Sequence, residues 1–333
     1  QIVEKEQPYQ IIAGAAMIGG ISYFHKFAYD LLATNERILA QTFDAAIKGH
    51  KEGYLKRIIV LSSSMVFEET DIYPTPESEV KVCPPPSSTY GFQKLASEYF
   101  AKGAWEQYGL PNSIVRPLNC IGVGEDDSIT EHEITSGNIK LMMSHVLPDL
   151  ANKILKGQSP LHILGEGNQI RCYTNGKDLA RGIRLVIESK EAINNDFNIS
   201  TSQSTSVLEL AKLIWNIINP NIEFNYICDD PYEYDVQKRI PDVTKAKEIL
   251  GFEAEIPLKE SINEVINYEN TITPASIDTD YLDNVWISYS NPLSSFIEKY
   301  DQYGRFLFRK QLDPNYQITE IITDLNQIGR AHV

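Results

Sequence analysis

"RIIVLSSSMVFE", residues 57–68, opens with five residues that are mostly branched and apolar and then breaks into three serines. A run this short, continuous and β-branched predicts a buried strand ending near Leu61, with Ser62, Ser63 and Ser64 at its carboxyl end. Working outward, "YQIIAGAA" (9–16) is a second short apolar run that ends in small residues. Between the two lies "DLLATNERILAQTFDAAIKG" (30–49), where Leu31, Leu32, Ile38, Leu39, Phe43 and Ile47 fall near helical spacing and Gly49 predicts the stop. Downstream, "SSTYGFQKLASEYFAKGAWEQYG" (87–109) begins with cap candidates and closes on Gly109, and "SIVRP" (113–117) is another strand. Strand, helix, strand, helix, strand predicts an α/β fold with a parallel sheet flanked by helices. Helices are expected again at 178–189, 206–218 and 243–251, and strands at 197–200 and 222–227.

Composition sets the outer bounds. The chain has 333 residues, 42% hydrophobic and 23% charged, which suits a globular protein of two lobes. Its net charge of -15 disfavours nucleic acid and anionic membranes as partners. Cys83, Cys120, Cys172 and Cys228 are scattered with no CxxC pair, which predicts a reducing compartment and no structural zinc. The six histidines show no metal-ligand spacing, so no metal is expected. No apolar run has the length of a membrane span, and a cytoplasmic location is expected.

The chemistry centres on Tyr90 and Lys94, four residues apart on the helix between two strand ends. On a helix that spacing shares one face. A lysine ammonium beside a phenol favours the phenolate and lowers its pKa, and a serine hydroxyl nearby can donate to the same oxygen. Such a tyrosine can take and return a proton on a substrate hydroxyl. The spacing alone is uninformative, because Tyr173–Lys177 and Tyr234–Lys238 repeat it. Those two read as loops, and only Tyr90–Lys94 combines a helical pattern with a serine-tipped strand before it.

"VLSSSMVFE", "STYGFQK" and "IVRPLNCIG" together resemble the extended short-chain dehydrogenase/reductases, in particular their nucleotide-sugar epimerases, dehydratases and decarboxylases. The resemblance runs from about residue 8 to about residue 269 and takes in "GEGNQIRCYTNGKDLARGI" (165–183) and "YDVQKRIPDVTKAKEILGF" (234–252). It implies a Rossmann-like NAD-binding domain over 1–120, which also recruits a strand near 197–200, and a smaller α/β substrate-binding lobe over 121–269. Residues 270–333 stay unassigned. It implies Ser63, Tyr90 and Lys94 as catalytic residues. Ala15, Ala16, Asn35, Tyr90, Lys94 and Pro117 would contact the cofactor or support its loop. Asn119, Arg171 and Arg239 would bind the substrate, a nucleotide-diphosphate sugar. The implied cofactor is NAD, with NADP also open, and the implied assembly is a homodimer through the helices at 30–48 and 88–108.

One position narrows the reaction. Dehydratases and decarboxylases of the family carry an acid where this chain has Met65, and some epimerases carry a cysteine there. A thioether neither gives nor takes a proton. An oxidation and re-reduction cycle needs neither group, so the resemblance implies a 4-epimerase. A decarboxylase or reductase, and a non-catalytic nucleotide-sugar or NAD-binding module, are the alternatives. Val66-Phe67-Glu68 departs from the family's Val-Tyr-Gly, Gly122-Val123-Gly124 departs from its asparagine loop, and 125–138 is a long acidic insertion. The family's opening glycine-rich phosphate turn has no match. "GAAMIGG" (14–20) reads instead as a substrate-side loop. The chain starts at Gln1, and "QIGRAHV" (327–333) is what a common sequencing adapter encodes when read through. A piece of a longer protein, lacking the first βαβ units and ending in an artificial tail, is therefore expected.

Overall fold

The computed structural model describes residues 2–18, 27–123, 134–136, 139–141, 145–231 and 236–271, and the backbone of six later strands. Tyr234, Gly124 and most of the acidic insertion at 125–138 lie outside the described residues, as do Gly19 and Gly20. The chain divides into two units, Gln1–Ile262 and Asn263–Val333.

The first unit is built on a four-stranded sheet. Its strands are β1 (Gln10–Ala13), β2 (Arg57–Leu61), β3 (Asn112–Pro117) and β4 (Asn195–Ile199), in spatial order β1-β2-β3-β4. All three pairings are parallel, with Ile12 opposite Ile59, Ile59 opposite Ser113, and Ile114 opposite Asp196. Helix α1 (Ala28–Lys51) joins β1 to β2, and helix α2 (Thr89–Tyr108) joins β2 to β3. Helix α3 (Gly176–Glu188) precedes β4.

The unbroken apolar run of β2 follows from burial on both faces. Ile58 and Val60 point into one cluster with Leu39 and Phe43 of α1 and Ala101 and Ala104 of α2. Ile59 points the other way, with Val115, Val186, Phe197, Ile199 and Phe252. A strand buried on one face only would alternate with polar residues. α1 buries Leu31, Asn35, Leu39, Phe43 and Ala46 along one stripe. Gly49 does not stop it, contrary to the sequence expectation: the helix runs on to Lys51, and the Tyr54 ring lies where a Cβ at position 49 would sit. The reversal comes at Gly53, where φ is +86°. α2 begins and ends where its caps predict, on Ser88 and Gly109.

Beyond the sheet, Leu161–Leu164 pairs in parallel with Tyr226–Asp229. That second strand lies further on than 222–227 suggested. Helix Val207–Ile218 starts with a complete capping box from Ser206 and Glu209. No described helix is long and apolar enough to cross a membrane. In the second unit, four strands (Thr273–Thr279, Val285–Ser290, Ser295–Tyr300 and Phe306–Leu312) form an antiparallel meander. Glu320–Asp324 and Gln327–His332 form a separate hairpin.

Candidate active site

The carboxyl ends of β1, β2 and β3 carry the residues singled out above, which is where an open parallel sheet presents its ligand crevice. After Leu61 the chain leaves the sheet through Ser62 and Ser63 and makes a single 3-10 turn, Ser64–Phe67. Ser63 caps that turn, its hydroxyl accepting from Met65 N at 3.2 Å. The first turn of α2 packs against it, placing Met65, Tyr90 and Leu31 in one buried cluster with Val236 at its edge.

Ser63 and Arg239 act on the Tyr90 phenol, and Lys94 stands near its ring. Tyr90 is 8% exposed. Burial pushes its pKa above the ordinary value, against a hydrogen bond with Ser63 and the positive field of Arg239, which both pull it down. Lys94 Nζ lies 5.8 Å from the centre of the Tyr90 ring and donates to Leu61 O at 3.1 Å, which ties the lysine to the end of β2. Burial brings the Lys94 ammonium down to about 8. The sequence reading had Lys94 lowering the Tyr90 pKa. In the folded chain burial raises the Tyr90 pKa, and the influences that oppose it come from Ser63 and Arg239 rather than from Lys94.

The other sequence-predicted residues fall into two sets. Ala15 and Ala16 follow β1 in a loop that Asn35 holds from α1. Met17 N donates to Asn35 Oδ1 at 2.6 Å, and Asn35 Nδ2 donates to Met17 O at 2.9 Å. Both ends of that amide are engaged by the loop, so Asn35 acts as its support. Pro117 ends β3 opposite Ile199. Two residues on, Asn119 takes a left-handed backbone (φ +35°), and Thr174 N donates to its carbonyl at 3.1 Å. Its side-chain Oδ1 is buried without a hydrogen-bond partner among the described residues. Arg171 and Arg239 are brought onto neighbouring segments. Arg239 N donates to Ile170 O at 3.0 Å, and Arg171 Nη1 donates to Gln237 O at 3.3 Å.

Sequence reasoning missed the floor of the site. Ser62 and Ser64 read as turn residues, but Ser62 Oγ donates to Glu98 Oε1 at 2.6 Å. Glu98 is buried and forms a two-point pair with Arg116, Nε to Oε1 at 2.8 Å and Nη2 to Oε2 at 2.7 Å. Arg116 Nη1 reaches Asp196 of β4 at 2.8 Å, and Lys245 Nζ reaches the same carboxylate at 2.6 Å. Two signals were available: Glu98 stands four residues beyond Lys94 on the same face, and Arg116 interrupts an apolar strand. A charge there needs a buried partner.

Residues 1–200 match the NAD dependent epimerase/dehydratase family. The chain belongs to that family. It is therefore an enzyme of the epimerase/dehydratase type, and its cofactor is NAD. Among solved structures it is similar to the UDP-glucose 4-epimerase of Thermotoga maritima, determined with UDP-glucose. The two are 28% identical with a TM-score of 0.68, over 81% of this chain and 79% of that one. A Methanocaldococcus jannaschii protein that bears a UDP-glucose 4-epimerase name is 32% identical over 215 residues, 64% of this chain and 62% of that protein. UDP-glucuronic acid decarboxylase 5 of Arabidopsis thaliana is 28% identical over 208 residues, 62% of this chain and 55% of that one.

The described residues of this epimerase/dehydratase family member fit the nicotinamide-ribose end of NAD. A buried ammonium and a buried phenol stand on one face of α2 at the carboxyl end of β2.

Proposed function

We propose that this chain is a nucleotide-sugar 4-epimerase that acts by transient oxidation and re-reduction at the sugar C4, in the cytoplasm. The observation that carries this reading is the convergence of Ser63 and Arg239 on a buried Tyr90, beside a buried Lys94, with Met65 where an ionisable partner would serve other reactions. Bound NAD supplies the hydride acceptor and donor. Tyr90 Oη takes the proton of the sugar hydroxyl and later returns one. Ser63 holds the reacting oxygen by hydrogen bond. Lys94 holds the nicotinamide ribose, and its charge stabilises the phenolate as it forms.

Ala15, Ala16 and Pro117 border the cofactor, and Asn35 acts through the loop it holds. Residues 121–269 mainly supply the sugar-nucleotide side, with Asn119 on the sugar or phosphate. Arg171 serves the diphosphate, for which a guanidinium fork is suited, and Arg239 contacts the substrate. A second copy of the chain covers the apolar groove of about 710 Å³ between α1 and α2, where Phe92 and Tyr99 are 49% and 65% exposed.

A second reading, decarboxylase or reductase of the same family, is favoured by the decarboxylase-like stretch "DVQKRIPD" (235–242) and by the similarity to a UDP-glucuronic acid decarboxylase. Incubation of the protein and NAD with UDP-glucose and with UDP-glucuronic acid, followed by proton NMR, separates the readings. Inversion at C4 without loss of carbon is the expected result. Release of carbon dioxide supports the decarboxylase. No conversion of either sugar, with binding retained, supports a binding module instead.

A further inference from the structure

We infer that Glu68 is a positioning residue. Together with Ser63 it makes the 63–68 turn a two-ended clamp that fixes Tyr90, an inference that rests on Tyr90 being the acid–base. At one end of the turn the Ser63 hydroxyl hydrogen-bonds the Tyr90 phenol. At the other, Glu68 N closes the turn on Met65 O at 3.2 Å. The Glu68 carboxylate then crosses to the start of α2. Its Oε2 accepts from Ser88 N at 2.9 Å and from Ser88 Oγ at 2.8 Å.

Ser88 has one hydroxyl proton, and Glu68 receives it. That fixes the direction of the hydroxyl lone pairs, one of which accepts from Gly91 N at 3.0 Å. The relay from Glu68 through Ser88 to Gly91 therefore brackets Tyr90 on both sides in sequence. A carboxylate at this point also complements the positive end of the helix.

The contact is close enough to demand its residue types. A Cβ on Gly91 would lie 2.9 Å from Glu68 Oε2, 2.9 Å from Met65 O and 2.6 Å from Pro86 Cβ. Helix and turn meet as they do because position 91 has no side chain. Held in this way, the phenol keeps a fixed distance from Ser63 while it exchanges its proton. Small displacements of a reacting group are costly in rate.

The test uses the full chain with NAD and the UDP-sugar that it converts. Glu68→Ala is expected to lower kcat about ten-fold while leaving KM within about two-fold, since the variant misplaces the base rather than the binding groups. Glu68→Gln keeps an acceptor oxygen and is expected to restore most of the rate. Ser88→Ala should be as slow as Glu68→Ala, and the double variant no slower than either. Amide hydrogen exchange adds a readout independent of turnover: protection at residues 89–92 should fall in Glu68→Ala and return in Glu68→Gln. Unchanged kcat and protection in Glu68→Ala overturn the inference. So do equal losses in the alanine and glutamine variants, or additive losses in the double variant. If the parent converts no UDP-sugar, the functional reading fails, and the exchange experiment still decides whether the clamp exists.

Discussion

Tyr90 and Tyr173 are both buried, at 8% and 4% exposure, and each stands four residues ahead of a lysine. Their surroundings differ. Tyr90 and Lys94 lie on consecutive turns of one helix, and both side chains are buried at the end of a strand. Tyr173 lies between two short strands, Ile170–Arg171 and Thr174–Asn175, and Lys177 is an exposed residue in the first turn of α3. The same four-residue spacing thus crosses an element boundary in one place and follows a helix face in the other. Burial of the lysine is what distinguishes the pair able to do proton chemistry, because it is burial that brings an ammonium down to about 8.

The largest separation is expected in turnover. Tyr90→Phe should lower kcat about 10²–10⁴-fold, the usual contribution of a positioned acid–base group. Tyr173→Phe should leave kcat close to that of the parent. Steady-state epimerisation of the two variants, compared side by side, breaks the comparison if they respond alike.

Stability should separate the residues four places beyond each lysine. Glu98 is buried against Arg116, whereas Arg181 is partly exposed and its buried partner Asp178 keeps backbone hydrogen bonds from Glu255 N and Ile256 N. Glu98→Ala should cost about 3 kcal/mol, because it leaves a buried guanidinium short of its main carboxylate. Arg181→Ala should cost about 1 kcal/mol or less. Urea unfolding measures both.

Lys94 should also give stability a pH dependence. The folded-state pKa of Lys94, about 8, lies below its ordinary 10.5. The folded chain therefore releases this proton before the unfolded chain does. The group opposes folding below pH 8, and that opposition is relieved as the pH rises toward 10.5. Lys94→Met removes it. The stability of the variant relative to the parent should be greatest at pH 7 and shrink by on the order of 3 kcal/mol by pH 10.5. A flat difference for Lys94→Met would contradict the burial argument.

A further modest effect is expected at the cap beneath Lys177. Asn175 Oδ1 accepts from Lys177 N at 2.8 Å to start α3, so Asn175→Ala should lower thermal stability by about 1 kcal/mol. It should leave kcat unchanged, whereas removal of the Ser88 cap on α2 should not.

Much of this arrangement was legible because it is local. The apolar run of β2, the stripe of α1, and the Ser88 and Gly109 caps of α2 are each written within one turn or strand. Lys94 and Tyr90 were legible together because a helix face is a sequence pattern. What depends on the third dimension was not. The spacing predicts a lowered Tyr90 pKa, but how deeply the phenol sits is decided by Leu31 and Met65, which arrive from other elements. Gly49 looks like a stop until Tyr54 is seen packed over it. Glu68 registered only as a departure from a family pattern, since nothing local shows that its carboxylate reaches a serine twenty residues later.

The edge strand β4 carries a consequence for the order in which the chain becomes a protein. It pairs with β3 across nearly eighty residues, and its Asp196 completes the charge balance of Arg116. Until that segment leaves the ribosome, the strand beside α2 has an unpaired edge and a guanidinium short of one counter-charge. The sheet therefore cannot close progressively from its N-terminal side. Chaperones would meet a nascent chain whose Tyr90–Lys94 corner is already spelled out but not yet enclosed, and its maturation waits on a contact of high sequence separation.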